Sequence, residues 1–373
     1  MKSTARQKIL WGVCGIGHGH IFRQLPLVEH FAKSSDIVIF GYGESYDFYK
    51  KHFANQPQVT VERVAVPFYV GSKDGLDFEA TAQRPENKQD YAVINGMAMA
   101  QAEKRLGRPD LVVSDYEPIS AQYAYAHNAP LVTLDQQSKY LCGDFPAPLK
   151  GQTFIDEVMR LRLFFPKADQ RLACSFFQVA KRPDAAEDVE ICAPVLGDKI
   201  KSLQRHPEKD GKSILIYVSS QQAFGQSYEE ISTLCAHFPD VRFSLFGKNI
   251  PPQSASNLKI YEHGSSNFHE VLASCNGIIS TAGHTLLSEA MYLGIPVYAI
   301  PLPLYEQEMN AHVIHENGFG LSCARLDADT LSRFIRDIPL YEDAIRADKK
   351  ILLREAGQEK IIDSLQRQMH MVP

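Results

Sequence analysis

The chain has 373 residues, 45% of them hydrophobic and 22% charged, which excludes a disordered chain, a collagen-like repeat and a disulfide-stapled miniprotein. Lys and Arg number 39 against 44 Asp and Glu, so a specific nucleic-acid partner is not expected, because recognition along a phosphate backbone needs a positive excess. The length suits two domains, each large enough to bury its own core.

In chain order, short apolar runs alternate with amphipathic stretches. The opening MKSTARQKILWGVCGIG reads as a first strand entering a glycine-rich turn rather than an export signal, since its apolar run is short and ends in glycines. Strands are predicted over Ile9–Cys14, Ile37–Tyr42, Val59–Val64, Leu111–Ser114, Leu131–Leu134 and Arg171–Phe177, with helices over His20–Lys33, Glu86–Leu106, Ile119–His127 and Phe154–Phe165. A polar seam follows, and a linker is predicted near Gly197–Lys212. The rhythm then resumes with strands Ile214–Ser219, Arg242–Phe246, Leu258–Tyr261, Gly277–Ser280 and Val297–Ile300. Helices Tyr228–His237, Asn267–Ser274, Thr285–Leu293, Glu306–Glu316 and Ala328–Arg336 lie between and after them. Strand–helix alternation of this kind argues for parallel sheets covered on both faces, hence an α/β protein of two doubly wound domains. The boundaries are expected at 1–197, 198–340 and a helical tail 341–373.

Seven cysteines are scattered without C-x-x-C spacing, which predicts reduced thiols of a cytoplasmic protein and no zinc site. No run approaches the ~18 apolar residues of a membrane span. Met159–Phe165 mixes arginines with apolar bulk and reads as a core helix followed by a strand, with peripheral contact at the inner membrane face as the alternative.

Ligands of open α/β sheets bind outside the carboxyl ends of the strands, so chemistry is sought in those turns. The first, Cys14-Gly-Ile-Gly17-His18-Gly19-His20-Ile-Phe22, places two histidines among glycines that allow close backbone approach. It is not G-x-G-x-x-G, and no acidic residue closes the second strand, which speaks against a nicotinamide dinucleotide. A helix start there would disfavour an imidazolium and help keep a histidine basic. After the fourth strand, Asp115 and Glu117 precede Pro118; either caps a helix or faces the site and orients a base. The turn Ser280-Thr281-Ala282-Gly283-His284-Thr285 delivers small residues to a helix start, which suits a pyrophosphate. Glu289, one to two turns inside, could reach a ribose diol, and Glu306-Gln307 suit sugar hydroxyls. Asp327-Ala-Asp329 has the form of a metal-binding pair but opens a late helix, where capping explains it.

Gly283-x5-Glu289-Ala, Gly294-x-Pro296, Glu306-Gln307, Asn310 and Asn317-Gly-Phe-Gly320 resemble the donor half of GT-B nucleotide-sugar glycosyltransferases, nearest to macrolide and plant UDP-glycosyltransferases and to the lipid-linked GlcNAc transferase of peptidoglycan synthesis. Gly19-His20-Ile-Phe22 looks like that transferase's N-terminal Gly-His-Val-Phe loop. Ser114-Asp-Tyr-Glu-Pro118 and Leu134-Asp-Gln-Gln137 are similar to a poorly characterised prokaryotic branch of these enzymes. The plant enzymes carry a His where Thr281 stands and an Asp where Glu306 stands. The resemblance implies two Rossmann-like domains facing across a cleft, with the tail helices returning to the first. It also implies an inverting, metal-independent transfer from a nucleotide sugar, with UDP expected and no further cofactor. Glycan, lipid-linked intermediate and small molecule remain open as acceptors. Family position adds Ser219-Ser220 as diphosphate contacts and His263-Gly264 near the uracil; Gly17 and Gly19 are counted with the donor contacts. His20 is the expected base and His18 its competitor. Rival readings are a UDP-GlcNAc 2-epimerase, to which Ser280–Gly283 is a poor match, and a catalytically silent nucleotide-sugar-binding partner.

Overall fold

The computed structural model describes residues 6–68, 70–72, 75–185, 188–209, 212–218 and 226–370. It divides into two units. The first runs to Ser175 and adds Val179–Gly197 and the tail from Ala356; the second comprises Phe176–Gln178 and Asp198–Glu355.

In the first unit, seven strands form one sheet: β1 (Gln7–Val13), β2 (Ser35–Gly41), β3 (Val59–Arg63), β6 (Leu111–Asp115), β7 (Leu131–Asp135), β8 (Gln170–Cys174) and β9 (Val189–Cys192). Their order is β3-β2-β1-β6-β7-β8-β9, all parallel. A separate hairpin pairs β4 (Val70–Ser72) with β5 (Gly75–Asp77). The helices are α1 (His18–Ala32), α2 (Gly43–His52), α3 (Phe78–Gln83), α4 (Tyr91–Leu106), α5 (Pro118–His127), α6 (Gln152–Phe164) and, from the tail, α13 (Gln358–His370).

Alternate residues of a strand point to opposite faces, and both faces of this sheet are buried. Ile9, Trp11 and Val13 of β1 pack with Leu27, Val28 and Phe31 of α1, Tyr49 of α2 and Ile361, Leu365 and Met369 of α13. Leu10 of β1, Val38 and Phe40 of β2 and Val112 of β6 pack instead with Ala98 and Ala102 of α4, Ala121 and Ala124 of α5 and Leu161 of α6. The sheet is therefore doubly wound, with its topological switch between β1 and β6, where the chain runs off to opposite sides.

The second unit repeats the plan with β10 (Ser213–Tyr217), β11 (Arg242–Gly247), β12 (Leu258–Glu262), β13 (Gly277–Ser280), β14 (Val297–Ala299) and β15 (Gly320–Ser322), in the order β12-β11-β10-β13-β14-β15 and again parallel. Its helices are α7 (Asp198–Lys201), α8 (Tyr228–Ala236), α9 (Phe268–Ser274), α10 (His284–Leu293), α11 (Tyr305–Glu316) and α12 (Ala328–Ala347). Ile214, Ile216, Phe243, Leu245 and Ile279 form its core with Ile231 of α8 and Leu331, Phe334 and Ile338 of α12.

Several elements differ from the sequence reading. Helix α4 starts at Tyr91, capped by the Asp90 side chain on the Val93 amide at 3.1 Å, and a 3-10 turn covers Pro85–Lys88. The strand after α6 ends at Cys174. Helix α12 continues through position 340 because Tyr341 and Ile345 extend its apolar stripe; Tyr341 stacks on Phe334 at 5.9 Å. The expected linker is partly tied to the second unit, with the His206 and Glu208 amides bonded to the Ala273 and Ser274 carbonyls at 3.0 and 3.1 Å. Gln204–Lys212 adds no strand among the described residues.

Candidate active site

The sequence-predicted residues gather into two clusters, one in each unit. In the first unit the turn after β1 is held by close backbone packing: a Cβ on Gly15 would lie 1.7 Å from the Tyr42 carbonyl oxygen, so only glycine fits. Gly17, with φ 76°, is the residue before α1, and both His18 and Gly19 lie inside the first turn of that helix. The two histidines then diverge. His18 is 37% exposed, stacks on Phe22 at 5.9 Å and lies 4.0 Å from Glu44. His20 points inward and its side chain is 15% exposed.

Nδ1 of His20 lies 2.8 Å from Oδ1 of Asp115, the last residue of β6, which is fully buried. Arg23, one turn along α1, donates to Asp115 from Nε at 3.1 Å and from Nη2 at 2.7 and 2.9 Å. Gln24 donates to the same carboxylate at 2.8 Å and to the Leu134 carbonyl at 2.8 Å. The Trp11 indole N–H donates to Gln24 Oε1 at 3.0 Å; since an indole can only donate, it fixes which end of that amide faces Asp115. Neither Arg23 nor Gln24 stood out in the sequence. The available signal was their i+3 and i+4 spacing from His20, which places them over the same strand end.

These contacts bias the protonation balance. Burial would raise the Asp115 carboxyl, but Arg23 and His20 hold it below the usual carboxylate range. Burial opposes the charged His20 ring, yet the neighbouring Cys14 sulfur and the Asp115 carboxylate outweigh it, so the histidine is raised above its ordinary range. This corrects the expectation drawn from the helix start: a carboxylate in direct contact outweighs the partial charge of a helix terminus.

Glu117 does a different job. Its carboxylate accepts from the Ile119 and Ser120 amides at 2.7 Å each and so caps α5, while burial pushes it up to about 7. Between the two acids Tyr116 holds φ 55°, in the left-handed region that non-glycine residues avoid, with its ring 6.4 Å from that of His20.

The second unit has a matching strained turn. β13, like β6, flanks the first strand of its sheet, and Ala282 just after it has φ 62°. Its amide donates to Ser280 Oγ at 3.2 Å, and Asn310 Nδ2 holds its carbonyl at 2.9 Å. Thr281 is buried, and Gly283 precedes α10 without a side-chain cap. The His284 amide donates instead to Oε1 of Glu306 at 3.3 Å, so a carboxylate already sits on this helix start. The buried His284 ring packs 5.8 Å from Phe176, Ser288 Oγ donates to the His284 carbonyl at 2.8 Å, and Thr285 is half-buried. Gln307 accepts from the Leu302 amide at 2.9 Å. Glu289 is half-buried on α10, with no protein hydrogen bond among the described residues, and burial pushes its carboxyl up to about 8. His263 stacks flat on Tyr217 at 4.7 Å, and Gly264 follows with φ 80°. Ser219 and Ser220 lie outside the described residues.

Asp327 caps α12 through the Thr330 amide at 2.9 Å, and among the described residues no group of three His, Cys, Asp or Glu side chains could hold a metal ion. On α6, Phe154, Glu157 and Leu161 turn inward, while Ile155, Met159 and Leu163 form an exposed row. No helix of the described residues is long and apolar enough to cross a membrane.

Two Rossmann-like units, each with polar side chains gathered at the carboxyl ends of the strands beside its switch point, have the fold of a GT-B glycosyltransferase. The family described as Glycosyl transferase family 1 matches residues 7–339, and the chain belongs to it. An uncharacterized glycosyltransferase of Methanosarcina mazei is 23% identical over 97% of this chain and 98% of its own length. The UDP-N-acetylglucosamine–N-acetylmuramyl-(pentapeptide) pyrophosphoryl-undecaprenol N-acetylglucosamine transferase of Halothermothrix orenii is 24% identical, covering 89% of each chain. Among solved structures, a UDP-glucosyltransferase from Polygonum tinctorium shares the fold with a TM-score of 0.68 at 13% identity, over 100% of both chains.

Proposed function

We propose that the enzyme transfers a sugar from a UDP-sugar to an acceptor hydroxyl, with inversion and without a metal. The observation that carries this reading is His20 hydrogen-bonded to a buried Asp115 beside a glycine-rich turn. An imidazole so oriented can take the acceptor's proton as its oxygen attacks the anomeric carbon; the bond from that carbon to the diphosphate breaks, and the electron pair leaves with the phosphate. A single displacement of this kind inverts the anomeric centre. Asp115 is the residue that orients the base, and Glu117 is left to its cap.

In the second unit the Ser280–Thr285 turn and the start of α10 suit the diphosphate, whose growing negative charge the helix amides stabilise without a cation. The diphosphate would take the amide of His284 from Glu306, freeing that carboxylate and Gln307 for the sugar. Glu289 suits the ribose diol and the His263–Gly264 turn the base. UDP is favoured because two of the similar proteins carry a UDP-sugar or UDP-dependent activity in their names. A thermal-shift series with UDP, GDP, ADP and TDP tests the nucleotide: at about 100 times its dissociation constant the true ligand adds ~2.7 kcal/mol of stability. UDP is expected to give the largest shift, and a larger response to another diphosphate would reassign the donor.

The acceptor is best read as lipid-linked. Ile155, Met159 and Leu163 are 51%, 50% and 67% exposed along one face of α6, with Arg162 and Lys167 exposed nearby, a combination that suits an anionic membrane surface. The seven free thiols, six of them buried, fit a cytoplasmic setting. Sedimentation with phosphatidylglycerol vesicles should capture the wild type and lose the Met159→Asp/Leu163→Asp variant. Wild-type protein left wholly in the supernatant would return the acceptor to the soluble classes.

A further inference from the structure

His20 does not have Asp115 to itself. Arg23 is buried and makes three hydrogen bonds to that carboxylate, and its Nη2 also stands 2.9 Å from Nδ1 of His20. Nδ1 thus has a pure acceptor at 2.8 Å and a pure donor at 2.9 Å, and only one of them can be satisfied. A carboxylate is the stronger claimant on the ring N–H, which leaves the guanidinium as a fixed positive charge against the ring.

The charged and titratable neighbours come from five elements. Cys14 approaches from the turn after β1, Asp115 and Tyr116 from the end of β6, and Arg23 from α1, while Asp135 of β7 and Cys174 of β8 face Arg23. Asp115 and Cys14 favour a second proton on the imidazole. Arg23, which keeps its own proton throughout and stands 2.9 Å from Nδ1, is the cation that adds to burial in opposing it.

We propose that Arg23 is a positioning residue for the base: it clamps the Asp115 carboxylate, keeps the imidazole proton on Nδ1, and by its charge resists a second proton on Nε2. The neutral ring then presents Nε2 to the acceptor hydroxyl. The inference rests on the reading of His20 as the base, so the ring itself is measured as well as the reaction.

The test is a side-chain nitrogen NMR titration of protein labelled with 15N-histidine, with His20 assigned by its loss in His20→Gln. In the wild type, neutral His20 is expected to carry its proton on Nδ1. In Arg23→Gln its pKa should rise by about one unit or more, and kcat/KM at pH 7 should fall about tenfold or more and recover as the pH is raised. Arg23→Lys should restore much of both. An unchanged or lowered His20 pKa in folded Arg23→Gln overturns the proposal. So does an Nε2–H tautomer in the wild type, which decides the matter even if the variant fails to fold. If the ring titrates as expected but His20→Gln retains full transfer activity, the assignment of the base fails instead.

Discussion

Replacing His20 with alanine is expected to lower turnover by about 10²–10⁴-fold while leaving UDP affinity at its wild-type level, because general-base catalysis contributes on that order and the nucleotide is assigned to the second unit. The variant should fold, since Asp115 keeps Arg23 and Gln24 as partners and no buried charge is stranded. A pH signature accompanies it. Because the folded enzyme raises the His20 pKa, the ring is more protonated near neutrality than a free histidine. The wild-type kcat/KM should therefore climb with pH through an apparent pKa above about 6.5, and His20→Ala should lose that limb. The same shift has a stability consequence of opposite sense. A raised pKa stabilises the fold fully below the unfolded value of about 6.5, and that contribution is lost as the pH rises through the folded-state value. His18→Ala should behave nearly as wild type, since that ring is exposed and 4.0 Å from Glu44. Full turnover in His20→Ala would move the base elsewhere.

The two α/β units could be read from the sequence because buried parallel strands appear as short apolar runs separated by helical periods. Elements too short or too irregular for a period could not. β15 has three residues, and α2 starts at Gly43 in a stretch whose glycines look like a turn. Position along a strand also makes the candidate site legible, because His20, Asp115 and Ser280–His284 all lie at or just beyond strand ends. What the spacing could not separate was orienting from capping among neighbouring acids. Asp115 is the last residue of β6 and faces α1, whereas the left-handed turn at Tyr116 sends Glu117 to the start of α5. Arg23 and Gln24 were invisible for a related reason. Polar residues in a helix usually face solvent, and only the packing of α1 over the end of β6 shows these two buried. Glu306 was expected at a sugar and instead accepts from the His284 amide at 3.3 Å, because a carboxylate is favoured at the positive end of a helix.

A nucleoside diphosphate held by the second unit is probed most directly at Glu289. Its carboxyl has no protein hydrogen bond among the described residues and is pushed up to about 8 by burial, so the ionised acceptor predominates only above that pH. A hydrogen bond from a ribose hydroxyl to this carboxylate is worth about 1.5–3 kcal/mol, or roughly 10–150-fold in affinity. The measurement is titration calorimetry of UDP into wild type and Glu289→Ala at about pH 8.5, above the carboxyl's own value. Binding to the wild type and a loss of roughly 10–150-fold in the variant are expected. Equal UDP affinity in the two proteins, or no binding to either, would contradict a nucleotide site at Glu289.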